Sequence, residues 1–291
     1  MYLIVGANGF LGSYLIKNVL EQTDEDVLAA DLICPSENRA RVKWVKCDVT
    51  KDTDVSALRR KTENKTLKIL FLAAYHHPDA VLKNPKIAWK INIMALAEFL
   101  DVFSDADVLY YPSTEVVYGE SDGSLLKEDS PLRPLSRYGE FKRAAEYLVN
   151  LAGFNVIRFP VLMGRSLIPD RPHFTDNIIN DLKNGKAVEM FSDQYRTMID
   201  FDTAAKTVVA LTQTTAAQTF PVVNVAGDDR ISKYDYACRL ADKYGLDKSL
   251  IRPVSLMADT GVFTEKRASE TLLDNTLVKQ ILNLSELKIK V

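Results

Sequence analysis

The feature that most constrains this chain lies within its first twelve residues. Tyr2-Leu3-Ile4-Val5 is a short apolar run of the kind a buried parallel strand needs, and it leads directly into Gly6-Ala7-Asn8-Gly9-Phe10-Leu11-Gly12. The glycines let the backbone turn sharply and approach a pyrophosphate closely, where a Cβ would clash. From Phe10 onward the apolar residues Phe10, Leu11, Leu15, Ile16, Val19 and Leu20 recur with helical spacing. A helix starting there aims free N–H groups and the positive end of its dipole at phosphate. The spacing G-x-x-G-x-x-G is a variant of the dinucleotide fingerprint. Ordinary loops are glycine-rich too, and it is the strand before and the helix after that give the motif its meaning.

The first 160 residues alternate between strand-like and helix-like stretches. Candidate strands are 2–6, 27–31, 42–46, 67–73, 107–112 and 154–159, with helical patterns at 9–22, 53–62, 85–103 and 138–152. This alternation predicts an α/β fold with a doubly wound parallel sheet (a Rossmann domain, residues 1–160) that binds ligands at the carboxyl ends of its strands. After Pro160 the pattern loosens, with helices near 174–184 and 202–213 and a strand at 222–226. Helix 202–213 and strand 222–226 are expected to return to the first domain. The rest of 161–291 (segments 161–195 and 228–291) is expected to form a smaller substrate-binding lobe over the strand ends. The helix at 85–103 is apolar nearly all round. One face covers the sheet, and the other needs burial within the chain or the same helix of a second subunit, a homodimer.

A net charge of -2 gives no polycationic footprint, so nucleic acid is not an expected partner. No apolar run approaches the ~18 residues of a spanning helix, and the immediate entry into a strand leaves no room for a signal peptide. Cys34, Cys47 and Cys238 are scattered, as suits reduced thiols, and the expected compartment is the cytoplasm. His76, His77 and His173 lack metal-ligand spacing, so no metal is expected.

Asp31 closes the second strand. A carboxylate there accepts hydrogen bonds from an adenosine ribose and repels a 2′-phosphate, favouring NAD(H); Arg39 and Arg41 are near enough in sequence to keep NADP(H) open. Tyr138 and Lys142 stand at i and i+4 on one helix face. Bringing a phenol from ~10 to neutrality takes about 4 kcal/mol, which a cation ~4 Å away at a dielectric of ~20 supplies. The pair therefore suffices for acid–base work on a hydroxyl or carbonyl. Tyr244 and Lys248 repeat the spacing, but Gly245 makes that copy look like a helix end. Ser113 or Thr114, at the carboxyl end of a central strand, offers a hydroxyl to the same reacting oxygen. Arg158, at a strand end, reads as structural.

With these pieces assembled, the chain resembles the extended short-chain dehydrogenase/reductases, the NAD-dependent epimerase/dehydratase family acting on nucleotide sugars. Gly6, Gly9 and Gly12, with Phe10 and Leu11 between them, match its glycine fingerprint. Asp48-Val49 looks like its adenine-contacting pair. Leu72-Ala73-Ala74 resembles its fourth-strand motif, and Asn92 the helix asparagine that follows. The segment Ser113 to Gly119 matches the one carrying the catalytic hydroxyl, which falls on Thr114. The approach from Glu128 to Lys142 matches that to the catalytic tyrosine and lysine. The resemblance implies Tyr138 as acid/base, Thr114 as stabiliser of the reacting oxygen, and Lys142 on the nicotinamide ribose. His76 falls where some epimerases have a substrate-side lysine, implying a polar contact to sugar. Val116 stands at the acidic position of the dehydratases, which disfavours dehydration; Glu115 is read as a substrate contact or a solvated carboxylate.

In the second lobe, Ser192 to Thr197 and Asp202 to Ala205 resemble dTDP-4-dehydrorhamnose reductases, as does Arg267 with Leu273-Asp274, although Ala268 replaces the usual proline. Arg196 and Arg267 are then expected to clamp a diphosphate, the alternative being ordinary ion pairs. The implied reaction is hydride transfer at a carbon, C4 by preference, of a nucleotide sugar, by a 4-ketosugar reductase or an epimerase. The rival readings are a non-catalytic cofactor-binding or regulatory subunit and a reductase of a non-sugar carbonyl.

Overall fold

The computed structural model describes residues 1–35, 39–256 and 263–291. Its centre is a seven-stranded, wholly parallel sheet. The strands are β1 (Tyr2–Val5), β2 (Val27–Asp31), β3 (Val42–Lys46), β4 (Lys68–Phe71), β5 (Val108–Thr114), β6 (Asn155–Phe159) and β7 (Val222–Asn224). They lie in the order β7-β6-β5-β4-β1-β2-β3. Tyr2 pairs with Val27 on one side and Lys68 on the other. The order reverses beside β1, which opens a crevice at the carboxyl edge between β1 and β4, where a doubly wound sheet binds its ligands.

Both faces of the sheet are buried, which is why β1 reads as an unbroken apolar run. On one face α1 (Phe10–Gln22) brings Leu15, Ile16 and Val19 against Ala204, Ala205 and Val208 of the helix Phe201–Gln213. On the other, Val55 and Leu58 of α2 (Asp52–Arg60), Leu96 and Phe99 from the 85–102 region and Ala145 and Val149 further on form a second core. The helix Phe201–Gln213 and strand β7 thus belong to the sheet layers.

Three local expectations need correction. The helix expected at 85–103 is broken into α4 (Pro85–Trp89), a π-helical turn (Lys90–Met94) and α5 (Ala95–Val102). The π turn carries Asn92, whose amide exchanges hydrogen bonds of 2.7 and 3.0 Å with the backbone of Tyr75, just past β4. Such bulges often accompany function, and this one points Asn92 at the sheet edge. A short helix, α3 (Pro78–Lys83), precedes these; at six residues it carries too little periodicity to read. Strand β4 stops at Phe71 rather than 73, and β5 runs on to Thr114, carrying its hydroxyl to the strand's end.

The remaining chain builds a third apolar cluster, in which Met163, Ile178 and Leu182 pack with Met190, Tyr236 and Leu240. A three-stranded patch joins Ile231–Ser232, Tyr195–Arg196 and Glu270–Thr271. Among the described residues no helix is long and apolar enough to cross a membrane.

Candidate active site

The glycine turn follows β1 as its spacing demands. Gly6 has φ +83°, and a Cβ there would lie 2.8 Å from the Ala73 nitrogen, so the turn presses against the Leu72-Ala73-Ala74 segment after β4. At Gly12 a Cβ would come 2.5 Å from the Ala7 carbonyl oxygen. Gly9 differs: its only close neighbour would be the Gly6 oxygen at 3.2 Å. Among the described residues that is the one close approach, tight enough to need a small shift, and the open face beside it is what a close-lying phosphate needs. Gly9 is the N-cap of α1, so the first-turn N–H groups of Phe10, Leu11 and Gly12 lack intrahelical acceptors.

Asp31, ending β2, accepts from the Asn8 N–H at 2.9 Å and the Ile33 N–H at 3.3 Å. Arg41 lies far from it. Val27 pairs with Val42 at the amino ends of β2 and β3, where the Arg41 guanidinium donates to the Leu20 and Thr23 carbonyls, and Arg39 bridges to Val42. Parallel strands therefore carry both arginines to the edge opposite the crevice. Asp48 and the buried Val49 follow β3 at the crevice edge, with Asp48 accepting from the Thr50 N–H at 3.0 Å.

The helix α6 (Arg137–Leu151) starts on a Ser136 cap, whose hydroxyl accepts from the Gly139 N–H at 3.2 Å. Gly139 lets this start approach the turn after β5: a Cβ there would stand 3.1 Å from the Val116 oxygen. Tyr138 is thereby set near Glu115, whose charge reaches its phenol. Alternation along β5 separates the two candidate hydroxyls. Ser113 points into the buried layer and donates to Glu146, whereas Thr114 caps the turn, accepting from the Val116 N–H at 3.3 Å.

Lys142 is 5% exposed and donates to the Tyr111 hydroxyl at 2.9 Å and the Pro112 carbonyl at 2.8 Å. Burial brings its ammonium down to about 7, with the Glu146 carboxylate opposing. Tyr138 is pushed the other way: burial, then the nearby Glu115 carboxylate, raise its phenol. The lysine thus does not lower the phenol as i, i+4 spacing predicts: burial governs both groups, and the ammonium turns toward Tyr111 and Pro112. His76 is exposed; desolvation lowers its imidazole, a hydrogen bond with the Ala74 backbone opposes this, and the Lys142 charge lowers it further.

Glu115 and Arg196 form a buried ion pair at 3.3 Å, and burial raises the carboxyl despite the guanidinium. The other Arg196 donors go to the carbonyls of Tyr195, Ala268 and Ser269. Its fork is thus occupied by protein, unlike that of a free phosphate clamp. Arg267 pairs loosely with Asp79 at 3.4 Å, and its buried Nη1 has no hydrogen-bond partner among the described residues. Lys233 was not visible in the sequence. It starts the helix Lys233–Tyr244, and burial and then the Arg196 and Arg267 charges lower its ammonium. Also missed was Glu146, one turn beyond Lys142, which pairs with Arg158 at 2.7 Å, both side chains 4% exposed. Arg158 further holds the Tyr118 hydroxyl at 2.6 Å, as fits its structural reading.

Two other sequence features take structural roles. Tyr244 closes its helix at Gly245 (φ +62°), so Lys248 lies beyond the helix and pairs with Asp242. His173 caps the helix Phe174–Lys183 through a reciprocal box with Asp176. Among the described residues no group of His, Cys, Asp or Glu is arranged to hold a metal.

A seven-stranded parallel sheet with this strand order, a glycine turn at its reversal and a Tyr-x-x-x-Lys helix packed against β5 and β6 defines a Rossmann-type protein of the short-chain dehydrogenase/reductase kind. The chain belongs to the RmlD substrate binding domain family, whose model matches residues 1–288. It is 27% identical to a probable low-salt glycan biosynthesis reductase of Haloferax volcanii, over 89% of this chain and 85% of that protein. It is 26% identical to the methionine adenosyltransferase 2 subunit beta of Rattus norvegicus, over 94% and 79%. Among solved structures, the UDP-glucuronic acid 4-epimerase of Bacillus cereus, in complex with UDP-glucuronic acid and NAD, superposes with a TM-score of 0.82 at 23% identity, covering 100% of this chain and 94% of that one. The dTDP-4-dehydrorhamnose reductase of Bacillus anthracis, in complex with NADP, gives 0.80 at 18%, covering 99% and 94%. At these identities the likeness shows the fold.

Proposed function

We propose that this chain is an NAD(H)-dependent oxidoreductase that transfers hydride at C4 of a nucleotide sugar, working as a 4-ketosugar reductase or an epimerase. The observation that carries the reading is the packing of the Tyr138 helix start against the Thr114 turn, with Lys142 buried behind it. The glycine turn, Leu72-Ala73-Ala74 and Asn92 border the crevice where the dinucleotide lies, and a bound nicotinamide supplies the hydride donor or acceptor. Asp31 takes the adenosine ribose, with Asp48 and Val49 at the adenine. Because Arg39 and Arg41 sit at the far edge, a 2′-phosphate would meet the Asp31 carboxylate without them, which favours NAD(H).

In reduction, Tyr138 gives its proton to the carbonyl oxygen as hydride reaches the carbon, and the Thr114 hydroxyl hydrogen-bonds that same oxygen. Burial keeps Tyr138 protonated, so the proton for reduction is in place, but it also makes the phenol a weaker acid; both directions therefore need positive charge beside it, from Lys142 and, in oxidation, from an oxidised nicotinamide. Lys142 holds the nicotinamide ribose. Arg267, with its unpartnered Nη1, and Lys233 grip the diphosphate, while Arg196 positions Glu115 at the sugar side and His76 makes a polar contact there. The exposed apolar faces of Ile87, Trp89 and Met94 fit a homodimer in a reducing, cytoplasmic setting; Trp89→Asp should then sediment as a monomer.

The test is NADH oxidation with a panel of 4-ketosugar nucleotides. Tyr138→Phe should bind NADH as the parent does and lose turnover by about 10²- to 10⁴-fold. Tightly bound NAD with no NADH oxidation points instead to the epimerase. A regulatory subunit is the second reading, favoured by the rat relative's description as a subunit. Cofactor binding without turnover on any sugar nucleotide would select it.

A further inference from the structure

Arg171 reaches the glycine turn from the segment that follows β6. Its Nη2 donates to the Asn8 carbonyl, and its guanidinium lies 5.0 Å from the centre of the Phe10 ring. The segment is fastened there independently of Arg171. The Tyr14 hydroxyl donates to the Arg165 carbonyl at 2.9 Å, and the Phe10 ring meets His173 edge-on at 4.9 Å. The turn does not need a cation to hold its shape either. Gly6 and Ala7 donate to the Ala30 carbonyl at 2.8 and 3.2 Å, Gly9 to Gly6 at 3.1 Å, and Asn8 to Asp31.

Electrostatically the placement runs against the helix. A guanidinium beside the first turn of α1 faces the positive end of the dipole, where an anion belongs. No carboxylate among the described residues pairs with Arg171, although Arg165, a few residues earlier, has Asp176 at 3.0 Å. One of its five N–H donors is used on Asn8, and the others have no hydrogen-bond partner among the described residues. A cation and a helix N-terminus that repel one another are reconciled by an anion between them.

We propose that Arg171 is a further cofactor-binding residue, closing over the pyrophosphate of the dinucleotide from the side opposite the α1 N–H groups. This rests on the dinucleotide reading of the glycine turn. It makes the 164–173 segment part of the cofactor site and ties cofactor occupancy to the elements carrying the substrate-side residues.

The experiment is calorimetric titration of the full chain with NADH and with ADP-ribose, which keeps the pyrophosphate and lacks the nicotinamide. Arg171→Met should weaken both about tenfold, equal to about 1.4 kcal/mol, and flatten the salt dependence; Arg171→Lys should fall between. The side chain is exposed, so the melting temperature without ligand should stay unchanged. If the parent binds both probes and Arg171→Met binds them within twofold, the assignment to Arg171 is overturned. If the parent binds neither, the dinucleotide reading itself fails.

Discussion

Replacing Lys142 with Met should make the protein more stable while abolishing its activity, and the gain should depend on pH in a definite way. The ammonium is held at about 7 against an ordinary 10.5 because burial disfavours its charge. Between those values the folded chain binds fewer protons than the unfolded one, so parental stability rises with pH. Below about 7 both states are protonated and the full penalty, about 5 kcal/mol, is present. Above 10.5 both are neutral and it vanishes. Methionine fills a similar volume and does not titrate. Its advantage should therefore shrink by about 3 kcal/mol between pH 6 and pH 9. Hydrogen bonds from Lys142 to Tyr111 and Pro112, lost in the variant, lower the absolute gain by about 1–3 kcal/mol, with little effect on its slope. Urea unfolding of both proteins at the two pH values measures the difference. A gap that stays constant or widens with pH would refute the claim that a buried, destabilised ammonium sits at this position.

Arg158→Met leaves the Glu146 carboxylate buried without its partner and should cost about 3–5 kcal/mol in urea unfolding, of which Arg158→Met/Glu146→Leu should restore at least half. Gly9→Ala presses its Cβ on the Gly6 oxygen at 3.2 Å and should cost less stability than Gly12→Ala, yet bind NADH at least about tenfold more weakly. Gly12→Ala places its Cβ 2.5 Å from the Ala7 oxygen and should lower the melting temperature sharply, by a cost above about 2 kcal/mol. Asp31→Ser removes the charge opposing a 2′-phosphate and should narrow the ratio of NADH to NADPH affinity; an unchanged ratio in paired titrations would count against Asp31 as the discriminator.

What the amino-acid order determined by itself is local. The run Tyr2–Val5, the spacing of Gly6, Gly9 and Gly12 and the periodicity after Phe10 each draw on contacts within a few residues, so strand, turn and helix were legible at once. The doubly wound sheet followed, because right-handed crossovers leave alternating strands and helices few arrangements. Tertiary structure decided everything that depends on distance through space. It sent Arg41 to the far edge of the sheet, turned Ser113 to Glu146 while leaving Thr114 at the crevice, and spent the Arg196 fork on backbone carbonyls. It brought Lys233 beside the charges of Arg196 and Arg267 and Arg171 onto the glycine turn, each from a remote sequence position, and broke the helix at Asn92 to satisfy Tyr75. The balance at Tyr138 and Lys142 belongs here too. Spacing predicts that a lysine is near, but the charge each group keeps is set by how much water the surrounding fold removes, and that is a property of the whole packed molecule.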